Sequence, residues 1–544
     1  MLDGFVPFPQ EWAARYREHH YWEDRTLGQV FMECFARHAD RIAVVAGEER
    51  ISYGMLAERV DRLALHLLQA GIRTLDRVVV QLPNVPEFVY LYFALQRLGA
   101  IPIMALPPHR YQEISQFVKV SEAVGYAFPQ RQGDFDFLDL AERVRREAPS
   151  LRHFFTHGND APAGCLSIRE LVARESELSR AALERIAMDP TLPAVFQLSG
   201  GTTGVPKLIP RTHNDYLLNS RASAALIDIR PDDALLVVLP IAHNFPLASP
   251  GIQGFFLHGA RVVLSTSTRP GDIFSLISRE RITHLELVPA LLIRYLDDPL
   301  LREHDLSSVR VINTGGQKLQ PELKRRAETL FFGGKVQEVF GMAEGLLCYV
   351  RLDDPDEVRQ ETVGRPVCAD DEIKLVDDEG REVAEGEIGE LWCRGPYTLR
   401  GYFRAPEHNA RAFSADGFYK SGDLMRRHPT GNLIVEGRKK DLINRGGEKI
   451  SAEEVENLIL THPAVHNVAC VPMPDAVLGE RMCAFVIPKA GQAVTLEELA
   501  RFLSDAGLAR FKLPERVELV SEFPLSPFGK VSKQALTKLI ADKR

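Results

Sequence analysis

Leu198-Ser199-Gly200-Gly201-Thr202-Thr203-Gly204-Val205-Pro206-Lys207 gathers three glycines, three hydroxyl side chains and one lysine into ten residues. Glycine lets the backbone turn tightly and approach a ligand with no Cβ in the way. Successive N–H groups can then face an anion, with hydroxyl donors and a lysine charge beside them. That donor set predicts a polyphosphate site, with ATP as the ligand. The ordinary P-loop is different, because its lysine directly follows a glycine and opens a helix. Here Val205 and Pro206 intervene, and the proline removes one backbone donor. A plain surface turn is the competing reading. Against it stand the apolar runs Ala194-Val195-Phe196 and Leu208-Ile209-Pro210 on either side, which read as two strands joined by the loop.

Working outward, 544 residues exceed one ordinary domain. A chain 45% hydrophobic and 26% charged reads as globular and soluble. Its net charge of −8 argues against a general nucleic-acid or anionic-membrane binder. The seven cysteines show no C-x-x-C spacing, which argues against a disulfide framework or a zinc site and fits a reducing cytoplasm. Met1-Leu2-Asp3-Gly4 opens without a basic, then apolar, leader, so cytoplasmic location is expected. No apolar run approaches the roughly 18 residues of a membrane span.

The pattern between 27 and 289 alternates strand and helix. Leu27 to His38 reads as a helix, and Leu56, Val60, Leu63 and Leu67 follow helical spacing up to a C-cap at Gly71. Val78–Leu82 and Ile101–Met104 read as buried strands flanking a helix from Glu87 to Leu98. The rhythm recurs as strand Leu235–Leu239, helix Ser249–Leu257, strand Val262–Leu264, helix Ile273–Glu280 and strand His284–Val288. Such alternation predicts βαβ units and mainly parallel sheets. From Glu372 to Cys393 the period changes to that of short hairpins. Beyond the charged Arg438–Asp441 a fresh pattern begins: helix Ala452–Thr461, strands Val465–Pro472 and Met482–Ile487, helix Leu496–Ala506. The expected fold is therefore α/β. A large domain, 1–438, combines parallel sheets, helices and a small β subdomain. A small α+β domain, 439–544, follows.

Other stretches carry chemistry. In Val339-Phe340-Gly341-Met342-Ala343-Glu344-Gly345 a carboxylate between glycines suits a metal or ribose contact, the alternative being the acidic first turn of a helix. In Tyr419-Lys420-Ser421-Gly422-Asp423, Asp423 can accept from two ribose hydroxyls, although Ser-Gly-Asp is also a common turn. Gly437-Arg438-Lys439-Lys440-Asp441, followed by Gly446-Gly447-Glu448-Lys449, reads as a solvated linker if taken alone. Pro527-Phe528-Gly529-Lys530-Val531-Ser532-Lys533, taken alone, is a basic tail.

In this order and over essentially the whole chain, these motifs resemble the acyl-adenylate-forming superfamily of acyl-CoA synthetases, peptide-synthetase adenylation domains and luciferases. The resemblance implies that Ser199, Gly200, Gly201, Thr202, Thr203, Gly204 and Lys207 hold the β,γ-phosphates of ATP and that Glu344 holds Mg²⁺. It implies Gly315 and Gly316 beside the nucleotide, Asp423 on the ribose, and Arg438 on its ribose or phosphate side. Lys530 becomes the catalytic lysine, assisted by Glu344 and His243. Lys440 becomes the hinge of a mobile C-terminal domain, and Gly446, Gly447 and Lys449 border a thiol tunnel.

The segment Ala242-His243-Asn244-Phe245-Pro246-Leu247-Ala248-Ser249 and the run Ile209 to Tyr216 are similar to those of stand-alone aryl-acid–AMP ligases of siderophore pathways. That branch implies Asn244 on the acid's carboxylate and ortho-hydroxyl, Phe245 on its ring, and Ser249, Gly316 and Leu347 lining the pocket. Ser249 favours 2,3-dihydroxybenzoate, whereas Leu347 with Cys348 favours salicylate. Asn313 stands where that branch has glutamine. The implied reaction forms an aryl-AMP with release of pyrophosphate, then transfers the acyl group to the phosphopantetheine thiol of an aryl carrier protein. An aryl- or acyl-CoA ligase of the same fold is the nearest alternative. A non-catalytic ATP-binding protein is a more distant one, since binding alone does not call for Lys530.

Overall fold

The computed structural model describes residues 2–199, 206–316, 319–331, 333–446, 448–475, 477–526 and 530–543, and all of their side chains but that of Lys449. Gly200, Gly201, Thr202, Thr203, Gly204, Gly447, Phe528 and Gly529 therefore lie outside the described residues. Packing divides the chain into two compact units. One comprises 1–359, 364–372 and 393–419, the other 360–363, 373–392 and 420–544.

Among the described residues, the first unit is built on sheets of nine and seven strands. Strands Lys335–Met342, Val311–Gly315, His284–Leu287, Ala234–Val237, Arg261–Leu264 and Ile42–Ala46 run parallel in the larger sheet. Antiparallel strands Gly345–Tyr349 and Glu49–Ser52 flank this block. The smaller sheet runs parallel from Pro193–Leu198 through Ile101–Met104, Arg77–Val80, Gly125–Phe128 and His153–Thr156 to Leu166–Ser167. Its edge pair, Pro193–Leu198 with Leu208–Thr212, is antiparallel. These parallel strands are largely buried on both faces because helices cover them. Ile273, Phe274 and Ile277 of one helix pack with Leu236, Leu285 and Ile312 of the larger sheet. Ile114, Phe117 and Val118 of another pack with Val79, Ile103 and Phe128 of the smaller.

The helix expected over 249–257 is two helices, Asn244–Ala248 and Gly251–Leu257. The break falls at a tight turn where Gly251 has φ +50°, and a Cβ there would lie 2.3 Å from the Pro246 carbonyl. His243 starts the first of these helices, its Nδ1 accepting from the Phe245 N–H at 3.2 Å.

In the second unit, two long paired strands of the C-terminal sheet, Val465–Asp475 and Gly479–Pro488, carry a core on each side. Successive residues face opposite ways. Val468, Cys470, Met482 and Ala484 meet helices Ala452–Ile459 and Leu496–Asp505. Ala469, Val471, Cys483 and Phe485 meet Leu536 and Ile540 of helix Lys533–Asp542. The hairpin sheet Glu372–Val376, Gly389–Arg394, Tyr419–Arg427, Leu433–Arg438 is packed largely with this unit. The division by packing thus differs from the boundary read at 438. The cause is long-range pairing, such as Val363 N–H on the Leu433 carbonyl at 2.9 Å, which local patterning does not register.

Candidate active site

The glycine-rich loop is closed at its neck by Ser199. The Ser199 N–H donates to the Lys207 carbonyl at 3.0 Å, and its Oγ accepts from the Lys207 N–H at 2.9 Å. Leu198 pairs with Leu208, so the two flanking runs are the antiparallel strands of a hairpin. The Lys207 side chain is half-buried.

Behind this hairpin lies a buried polar network. Arg211 has no exposed surface, and its Nε donates to Asp215 Oδ1 at 2.8 Å. Asp215 is the third residue of the following helix and also accepts from Thr212 N–H and Oγ1, at 2.6 and 2.7 Å. The capping geometry thus fixes the carboxylate that fixes the arginine. The remaining guanidinium donors reach the Ala343 carbonyl at 3.0 Å, Asn219 Oδ1 at 3.2 Å and the Tyr397 carbonyl at 3.2 Å.

On the same helix Tyr216 accepts from Gln197 Nε2 and donates to Asn244 Oδ1, both at 2.9 Å. Asn244 Nδ2 then donates to Ser249 Oγ at 3.0 Å, and Asn219 Nδ2 reaches the same oxygen at 3.2 Å. Asn244 and Ser249 are thereby oriented by side chains that are themselves buried. Phe245 and Leu347 are buried beside this segment and in strand Gly345–Tyr349, respectively. His243 is half-buried at the helix start.

Glu344 stands in a hairpin turn between strands Lys335–Met342 and Gly345–Tyr349, not in the first turn of a helix. Its Oε1 accepts from Tyr402 Oη at 2.8 Å, and its carbonyl accepts from the Leu399 N–H at 2.7 Å. Burial, then the neighbouring Glu344 carboxylate, push the Tyr402 phenol far up. Gly345 has φ +150°, and a Cβ on it would lie 2.5 Å from Thr398 Cα, so the position admits only glycine. At Gly315 a Cβ would lie 2.8 Å from the Val339 carbonyl oxygen, and Gly316 follows with φ +90°. The structure therefore brings Asn244, Phe245, Ser249, Leu347, Gly315, Gly316, Ser199, Lys207 and Glu344 into one unit, with Arg211 linking the Asn219–Ser249 side to the main chain next to Glu344.

The other expected residues belong to the second unit. Asp423 and Arg438 are cross-strand partners joined at 2.8 Å. Burial raises the Asp423 carboxyl, while the positive charges of Arg438 and Lys530 pull it back. The Ser526 N–H donates to the Lys530 carbonyl at 2.7 Å. Lys440 lies in the short 3-10 turn Lys439–Asp441, where burial, then the Arg438 charge, lower the Lys440 ammonium. Gly446 has φ +60°, its N–H bonded to the Leu478 carbonyl at 2.7 Å. Lys449 pairs with Asn444 in the adjoining hairpin.

Sequence reasoning missed Arg211, Gln197, Asn219, Tyr216 and Tyr402. One signal was available: the S/T-x-x-D spacing of Thr212 and Asp215 marks a helix start directly after a strand, which places both on a buried junction.

The chain belongs to the AMP-binding enzyme family. Residues 31–403 match the AMP-binding enzyme and residues 454–530 the AMP-binding enzyme C-terminal domain. It is similar to salicylyl-CoA synthase / salicylate adenylyltransferase of a Streptomyces species, at 47% identity over 99% of this chain and 98% of the relative. It is also similar to 2,3-dihydroxybenzoate-AMP ligase of Bacillus subtilis, at 46% identity over 100% of this chain and 99% of the relative. The apo structure of Mycobacterium smegmatis MbtA superposes with a TM-score of 0.74 at 42% identity, covering 98% of each chain.

Two stability measurements test the network. Removing one member of a buried ion pair strands the other, so Asp215→Ala should lower the unfolding free energy by about 3–5 kcal/mol in chemical denaturation; a loss below about 1 kcal/mol would mean that the pair is not carrying the junction. The second concerns Asp371, which accepts from Tyr397 Oη at 2.6 Å, while the same Tyr397 oxygen accepts from the Leu347 N–H at 3.0 Å. Burial pushes the Asp371 carboxyl up from 3.8 to about 7. The folded state then holds a proton that the unfolded chain has released, so stability falls as pH rises from about 4 to about 7. Asp371→Asn should therefore gain on the parent between pH 5 and pH 8. Parallel pH–stability curves for the two would contradict this.

Proposed function

We propose that this protein activates an ortho-hydroxylated aryl acid, salicylate or 2,3-dihydroxybenzoate, with ATP, and passes the acyl group to the phosphopantetheine thiol of an aryl carrier protein in cytoplasmic siderophore assembly. The observation that carries the reading is the buried chain Gln197–Tyr216–Asn244–Ser249, which holds a small polar site rigid. Family membership supports the adenylate-forming chemistry, and the names of the two relatives support the acid class.

In the first half-reaction the acid's carboxylate attacks the α-phosphorus of ATP and pyrophosphate leaves. Charge develops on phosphate oxygens, so fixed donors matter more than a side-chain nucleophile. Ser199–Gly204 with Lys207 bind the β,γ-phosphates, and Gly315 and Gly316 border the nucleotide. Asp423 accepts from the ribose with Arg438 beside it. Lys530 stabilises the reacting carboxylate and α-phosphate. A single buried carboxylate suits Mg²⁺ held chiefly by phosphate oxygens, and Glu344 fits that part; the ion would supply charge neutralisation. Asn244 binds the ortho-hydroxyl and carboxylate, Phe245 and Leu347 cover the ring, and His243 starts the helix that presents Asn244 and Phe245. In the second half-reaction the thiol attacks the acyl carbon and AMP leaves, after a rotation about Lys440 brings Gly446, Gly447 and Lys449 to the thiol's path. The first relative's name includes a CoA thioester, which keeps CoA as the alternative acceptor.

ATP–pyrophosphate exchange across benzoate, salicylate and 2,3-dihydroxybenzoate tests the acid. Benzoate leaves the Asn244 N–H that is not given to Ser249 without a partner, at roughly 1–3 kcal/mol, so exchange should favour salicylate about fivefold or more; equal rates would remove the assignment. Asn244→Ala should raise the KM for the acid and leave that for ATP in place.

The two lysines make opposite predictions. Lys530→Ala should slow exchange by about 10²–10³-fold yet still transfer a supplied aryl-adenylate to carrier protein. Lys440→Pro, by stiffening the backbone, should keep exchange and slow thioester formation. Equal defects of Lys530→Ala in both half-reactions, together with a lowered melting temperature, would point to a destabilised C-terminal domain.

A further inference from the structure

Among the described residues, two of the buried oxygens in the larger sheet that have no hydrogen-bond partner belong to neighbouring residues. Glu286 and Asn313 are in register on adjacent parallel strands, so their side chains leave the same face about 4.8 Å apart. Glu286 is 2% exposed and Asn313 is fully buried. Each side chain is tethered by its other polar atom. Glu286 Oε1 accepts from the Gly251 N–H at 3.1 Å, and Asn313 Nδ2 donates to Gln337 Oε1 at 2.7 Å. Glu286 Oε2 and Asn313 Oδ1 accept from none of the described residues.

The polar row Glu286–Asn313–Gln337 crosses three strands. Its Gln337 end is satisfied, with Nε2 on the Leu226 and Val350 carbonyls at 3.0 and 2.7 Å. Its unsatisfied end faces the turn that carries Ser249. Gly251, bonded to Glu286, is two residues from Ser249, whose Oγ holds Asn244 and whose carbonyl accepts from Tyr349 Oη at 2.5 Å. Burial raises the Glu286 carboxyl well above the ordinary range, with the Gly251 N–H as the one counterweight; a ligand donor at Oε2 would favour the carboxylate and so draw the group back down. Unsatisfied buried acceptors are costly and rare. A pair of them at the far end of the turn that orients Asn244 calls for a donor from the ligand.

We propose that Glu286 and Asn313 form an acceptor subsite that selects an aryl acid bearing one further ring amino or hydroxyl group, beyond the ortho-hydroxyl assigned to Asn244. An amino group satisfies both oxygens with its two N–H bonds; a hydroxyl satisfies one. The subsite rests on the aryl-acid reading above and narrows it, because salicylate itself supplies no donor there.

The test is ATP–pyrophosphate exchange by the full-length enzyme with salicylate and its 3-, 4- and 5-hydroxy and 3-, 4- and 5-amino derivatives. One ring position should stand out, with kcat/KM about tenfold or more above that of salicylate; the better of the amino and hydroxy compounds at that position identifies the donor. In Glu286→Ala the ratio of that derivative to salicylate should fall to about one. Glu286→Gln keeps the shape but turns an N–H toward the ligand's donor, so the same collapse is expected if the alanine variant does not fold. Salicylate matching every derivative in active parent enzyme would overturn the subsite and leave the aryl-acid reading standing. So would a derivative's advantage that persists in a folded Glu286 variant. Exchange with none of the seven acids would overturn both.

Discussion

Arg211 makes the strictest demand in the first unit. A guanidinium with no exposed surface has to find all its acceptors within the protein. The strand that carries it can therefore end in one way: in a helix whose third residue is Asp215, with Asn219 one turn further along. The same side chain reaches the main chain beside Glu344 and the carbonyl of Tyr397. A single charge thus ties together the exit of the glycine-rich hairpin, the helix presenting Tyr216, and the turn presenting Glu344. Such an arrangement adds little to net stability over an apolar core, since desolvation offsets most of the attraction. Its gain lies in holding three segments of distant sequence in one mutual position.

The second unit is organised differently. Its cores are apolar on both faces of one sheet, and its expected functional groups sit on turns and strand ends. Asp423 and Arg438 hold each other across a strand pair, so the carboxylate that would meet a ribose is oriented before any ligand arrives. The raised carboxyl shows how much burial resists that charge even with two cations near it.

Much of this was legible in the chain. The strand–helix rhythm from 27 to 289 survives as two parallel sheets because buried strands and amphipathic helices differ in period. The glycine loop was legible as a hairpin because apolar runs flank it. What stayed hidden was decided by distant partners. Arg211, Gln197 and Asn219 are residue types ordinarily found on surfaces, and nothing local marks them as buried. Glu286 sits within His284-Leu285-Glu286-Leu287-Val288, a run that reads simply as a strand. The hairpins after Glu372 were recognisable as a subdomain, but the unit they pack with was not, because pairings such as Val363 with Leu433 span seventy residues. For the candidate site, motif order nominated the residues, while the polar chain that orients Asn244 emerged only from geometry.

That chain has a direction. Gln197 donates to Tyr216, Tyr216 to Asn244, and Asn244 to Ser249, whose oxygen also receives Asn219. With both lone pairs engaged, the Ser249 hydroxyl can only give its proton outward. In the seat proposed for the acid, one wall would therefore offer hydrogen while the wall at Glu286 and Asn313 would offer lone pairs. A flat ring placed between them is not free to turn over: a half-turn would set donor against donor and acceptor against acceptor. Such a seat would have a polarity of its own, and would tell apart two faces of a molecule whose outline is nearly the same from either side.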